Sequence, residues 1–122
     1  MKMLLIDVKN EAVTVVDAET LDDYYKLLGC DCIDIVTHRV GKMSFDIICD
    51  DEGLFVNEPK ISAIGNMGEP VLVGNLLLCK GNDKNGDLLP LDDEDIAYLK
   101  RYIVKLCTHH FPKGYPMLTQ VS

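Results

Sequence analysis

The apolar residues of this chain come in short runs, and nearly every run is closed by a turn signal. Residues 3–8 (MLLIDV) lead into Lys9-Asn10-Glu11, and residues 12–17 (AVTVVD) are rich in β-branched side chains. Runs of four to eight such residues bounded by polar breaks read as strands, so an N-terminal hairpin is expected. Residues 32–36 (CIDIV) alternate briefly, Val40-Gly41-Lys42 interrupts, and residues 43–49 (MSFDIIC) read as the returning strand. Asp50-Asp51-Glu52-Gly53 then forms a turn, with glycine where a positive φ is favoured. Residues 71–80 (VLVGNLLLCK) read as one long buried strand, and an interior glycine there marks a bulge or a close backbone approach. Asn85-Gly86 is a hairpin signal, after which residues 88–91 pair back as a short strand.

Two helices are expected among these strands. Thr20 and Asp23 have the spacing of a capping box, Leu21, Tyr24, Tyr25, Leu27 and Leu28 follow at helical spacing, and Gly29 is a stop. Asp92 is a good N-cap for a longer helix over residues 92–107, with Asp93, Glu94 and Asp95 on the positive end of its dipole. Ile96, Leu99, Ile103 and Leu106 form its apolar stripe. Residues 54–70 read as loop, with a turn of helix near Ile61 to Ile64. The expected fold class is therefore α+β: a single, mostly antiparallel sheet with one short helix and one long C-terminal amphipathic helix. One domain over residues 1–107 and a C-terminal tail over residues 108–122, extended or loosely packed, complete the expectation.

Composition narrows the function classes. Twelve Lys and Arg stand against 20 Asp and Glu, a net charge of −8, and no basic block supplies the footprint of a direct nucleic-acid binder. The same charge either keeps the protein soluble or presents an acidic face to a basic partner. The N-terminus reaches Asp7 after a short apolar run, and no stretch approaches the ~20 apolar residues of a membrane span. The five cysteines are odd in number, and Cys49, Cys79 and Cys107 sit in apolar runs, which fits free thiols in a cytoplasmic protein.

Chemistry-bearing motifs are sparse. Cys30-Asp31-Cys32 and His109-His110 lack the second half of a zinc site. Counting back from Gly86, a calcium loop would need its first ligand at Gly81, which has no side chain. The three serines form no nucleophile elbow, and no phosphate-cradling glycine loop is present. Neither an enzyme nor a cofactor is expected on these grounds. Asp50, Asp51 and Glu52 are the candidate partner-binding acids, joined by Tyr98 and Tyr102, four apart on one helix face. Tyrosines in that position serve equally well as an interface or as the edge of a core. Gly74 and Asn75 are the candidate ligand contacts of a rival reading, a small-molecule or nucleotide-binding module that sequesters its ligand. Homo-oligomerisation is compatible with either.

Four segments also carry a resemblance. Residues 45–53 (FDIICDDEG), 73–78 (VGNLLL), 89–96 (LPLDDEDI) and the start, residues 1–7, resemble a family of short uncharacterised proteins from phages, conjugative elements and Gram-positive gut bacteria. The resemblance spans about residues 1–103 and departs after Val104. It implies the setting of a mobile-element accessory protein and supplies no catalytic residue.

Overall fold

The computed structural model describes residues 1–52, 60–81, 88–107 and 114–122. Strand β1 (Lys2–Asp7) and strand β2 (Ala12–Asp17) form the expected antiparallel hairpin. Helix α1 (Leu21–Leu28) starts on a complete Thr20/Asp23 capping box and is closed by Gly29. A second hairpin follows, β3 (Ile33–Val40) with β4 (Met43–Asp50), in register over its full length. Beyond it come β5 (Ile61–Ile64), β6 (Pro70–Val73) and β7 (Leu76–Lys80), then helix α2 (Asp93–Lys100) and strands β8 (Ile103–Leu106) and β9 (Tyr115–Leu118).

These strands build two sheets rather than one. The first has the order β2-β1-β7-β4-β3, and every pairing in it is antiparallel. The second has the order β6-β5-β9-β8, with β5 and β9 parallel. Leu4, Ile6, Phe45, Ile47, Leu76 and Leu78 pack from one face of the first sheet against the second sheet and α2. Met3, Leu5, Ile48, Leu77 and Cys79 pack from the other face under Tyr24 and Leu28 of α1. With both faces covered, the inner strands β1, β4 and β7 carry near-continuous apolar runs instead of an alternating pattern.

The expected single sheet with a long C-terminal helix is thus overturned: among the described residues the protein is mostly β, with nine strands and two eight-residue helices. Each departure has a local cause. Residues 71–80 are not one strand, because Gly74 takes φ +77° and turns the chain from β6 in the second sheet to β7 in the first. The helix begins at Asp92 as expected but tightens at its end, where Arg101 N–H and Tyr102 N–H donate three residues back to Tyr98 and Leu99. Ile103 and Val104, both β-branched, then open a strand whose alternation is hidden inside the same apolar spacing. Ile61 to Ile64 form a strand, not a helical turn. Leu88 to Leu91 contribute a single bridge, Leu89 to Lys80, and Asn85-Gly86 lies outside the described residues. Within the described part of the tail, β9 is not loose: it is buried along its length between β5 and β8.

Candidate binding surface

The β3–β4 hairpin positions the acidic residues. Asp50 ends β4, and Asp51 N–H donates to the Cys32 carbonyl at 3.1 Å, which sets the turn after β4 beside the residues before β3. Glu52 N–H donates to Asp50 Oδ1 at 2.9 Å. The Cys32 thiol lies among these groups, and its pKa is pushed up by the nearby charge of Glu52, by burial, and by Asp51, Asp31 and Asp50. The hairpin register thus sets four carboxylates from two chain segments at the same end of the hairpin as the exposed Cys32. Asp31 was not singled out in the sequence, although the hairpin register alone places it opposite the turn.

Asp50 and Asp51 also rim a groove of about 340 Å³, whose other walls are Cys49 and the β6 residues Pro70, Val71, Leu72 and Val73. The lining is mainly apolar. The Cys49 thiol is pushed up to about 11, chiefly by burial and then by Asp34, so it is no nucleophile near neutral pH. Cys79, deeper in the first sheet, is pushed by burial up to about 12.

Tyr98 and Tyr102 are not part of this surface. They stand at the opposite end of the same hairpin, with ring centroids 5.1 Å apart. Tyr98 donates to the Val40 carbonyl at 2.7 Å and accepts from Lys42 N–H at 2.8 Å, so its hydroxyl holds the turn at Gly41. Tyr98 also lines a second cavity of about 330 Å³ with Met43, Glu94, Asp95, Ala97 and Arg101. Asp92 and Asp95 close a capping box on α2, and Asp95 meets Lys80 at 3.5 Å, which gives this second acidic cluster a structural task.

Gly74 and Asn75 sit at the crossover between the sheets. Asn75 is buried, and its Oδ1 accepts from Val8 N–H at 3.0 Å. Beside it, burial works to raise the Asp7 carboxyl, but hydrogen bonds from the Asn10 side chain and main chain, from Asn75 and from Lys9 outweigh it and hold the pKa below the ordinary value. Because the folded pKa is depressed, Asp7 stabilises the fold fully above its unfolded value of about 3.8, and that contribution disappears as pH falls through the lower folded value. We expect Asp7→Asn to lower stability at neutral pH and to flatten the acid limb of a stability-versus-pH curve measured by urea unfolding. An unchanged acid limb in the variant would remove Asp7 from the acid transition.

Residues 1–104 match the model of a family described as a domain of unknown function, DUF3846. The chain belongs to the DUF3846 family. No curated protein and no solved structure matches it. The acidic turn, the groove and the Tyr98–Gly41 clamp all lie inside the span matched to the DUF3846 domain, whereas β9 lies beyond it. Among the described residues no group of three His, Cys, Asp or Glu is placed to hold a metal, and His109-His110 falls outside them. No described helix is long and apolar enough to cross a membrane.

Proposed function

We propose that this DUF3846 protein is a non-enzymatic accessory factor of a phage or other mobile element, which presents an acidic surface to a basic host or element protein in the bacterial cytoplasm. The observation that carries this reading is the gathering of Asp31, Asp50, Asp51 and Glu52 near Cys32 from the two strands at the open end of one hairpin. Like charges held together are destabilising in isolation, and a basic partner relieves that repulsion while being steered to the site by it. The mobile-element setting is supported by the resemblance of residues 45–53 and 73–78, and the cytoplasm by the five free cysteines.

The apolar groove favours a second reading, the binding of a small molecule. Its volume of about 340 Å³ is at the small end for a ligand site, and its two carboxylates suit a cation better than a nucleotide. A pull-down from host lysate at low and high salt separates the readings, repeated with Asp50→Asn, Asp51→Asn and Glu52→Gln combined. We expect a partner that is retained at low salt, is released at high salt, and is lost to the charge-neutral variant. Equal recovery by a folded variant would defeat the acidic-surface reading. A thermal shift with small cations but no protein partner would put the ligand reading first.

A further inference from the structure

The main-chain groups of β3 alternate between its two sides. Cys32 C=O accepts from Asp51 on the β4 side, while Arg39 exchanges both of its groups with Ser122 on the other side, at 2.9 and 2.8 Å. Successive residues of an antiparallel strand face opposite neighbours, so the even-numbered residues of β3 face β4 and the odd-numbered ones face outward. Residues 120–122 extend the sheet over the second half of that outer edge: Gly41 N–H donates to Gln120 C=O at 3.1 Å, and Val40 bridges to Val121. The first half has no such cover among the described residues. Ile33, Ile35 and Thr37 direct their main-chain groups away from the sheet there, and among the described residues Ile35 N–H is met by the side chain of its neighbour Asp34, at 3.0 Å. The Ile35 side chain is 46% exposed.

This open half-edge ends at the acidic patch. Exposed Asp31 and Asp34 lie at its start, and exposed Asp51 and Glu52 with half-buried Asp50 lie one strand further in, across β3 on the β4 side. Edge charges of one sign repel a second copy of the same strand, and they attract a strand of opposite sign. We infer that Ile33, Ile35 and Thr37 form a docking edge for an extended cationic segment of another protein, which adds to the first sheet as a further strand. Its lysines or arginines meet the carboxylates at the start of β3. This rests on the acidic-surface reading and gives it a binding mode: main-chain pairing supplies affinity, and the carboxylates select the charge of the incoming strand.

The probe is a peptide of about ten alternating lysine and threonine residues, the length of an ordinary strand, with a glutamate–threonine peptide as control. Binding is read by fluorescence anisotropy, and the edge by amide hydrogen exchange of the full chain. The lysine peptide is expected to bind at low salt and to protect the amides of Ile33, Ile35 and Thr37, while the glutamate peptide does neither. Ile35→Pro removes an outward N–H without breaking the β3–β4 ladder, so it is expected to weaken binding roughly tenfold or more. Amide protection in the unsubstituted chain gives the same answer if that variant does not fold. Binding that is lost on neutralising Asp50, Asp51 and Glu52, but that leaves the three amides unprotected, overturns strand addition and keeps the acidic surface. Absence of binding by the lysine peptide, or binding indifferent to those carboxylates, overturns both.

Discussion

A chain ending at Cys107 is expected not to fold. Residues 115–118 are the strand that joins β5 to β8, so their removal leaves β8 with no neighbour in its sheet. Tyr115, Leu118 and Val121 also leave the main core, and Met117 is buried with them. Deleting the bulk of a single buried apolar side chain costs about 2–5 kcal/mol, and a domain has only about 5–15 kcal/mol in all. The loss of four such residues, about 8–20 kcal/mol together, matches or exceeds the stability available, and β8 loses its ladder besides. Circular dichroism and the amide dispersion of residues 1–107 test this, with collapsed or unfolded spectra expected. A sharp, cooperative thermal transition in the shortened chain would refute it. The family match ends inside β8, so the matched span is shorter than the folding unit.

Gly41→Ala is expected to cost about 3 kcal/mol, a large effect for one methyl group. Gly41 has φ +62°, and a Cβ there meets the Tyr102 hydroxyl at 2.5 Å, its ring carbon Cζ at 2.6 Å and the Tyr98 hydroxyl at 2.7 Å. The left-handed backbone alone costs an L-residue about 1–2 kcal/mol. Displacing Tyr98 adds to this, because the Val40 carbonyl and the Lys42 N–H each lose a hydrogen bond to its hydroxyl, at about 0.5–1.5 kcal/mol per bond. In urea this corresponds to a midpoint lowered by roughly 1–2 M for a protein of this size. Repeating the substitution in a Tyr98→Phe, Tyr102→Ala background removes both hydroxyls and the Tyr102 ring and so isolates the backbone share, which is expected to be the smaller part. A loss below about 1 kcal/mol in the unmodified background would show that the clamp yields without strain.

The first half of the fold was legible in the sequence because its signals are local. Lys9-Asn10-Glu11, the Thr20/Asp23 pair and Val40-Gly41-Lys42 each set a turn or a cap from adjacent residues, and those elements form where expected. Errors gather where one pattern serves two structures. Ile96, Leu99, Ile103 and Leu106 fit a helical stripe, yet residues 103–106 also alternate as a strand, and only pairing with β9 decides between them. Gly74 was noticed as an irregularity, but its role as a change of sheet depends on partners far along the chain. Of the candidate site, Asp50, Asp51 and Glu52 were legible as a cluster, while Asp31, Asp34 and Ile35 were not, since only the hairpin register gathers them. Tyr98 and Tyr102 do not share the expected helix face: α2 ends at Lys100, and Tyr102 meets the Tyr98 ring from the turn beyond it.

The order of strands also governs how the chain meets its own synthesis. β7 lies between β1 and β4, so the first sheet stays split into two hairpins until residue 80 has left the ribosome. The second sheet waits longer, because its inner strand β9 is made last. Until then β1 and β4 carry unpaired edges and apolar faces, the condition in which nascent chains recruit chaperones or aggregate. Pairings this distant in sequence also close slowly. Productive folding therefore waits until β9 has emerged, and expression yield depends on how fast β7 and β9 find their slots.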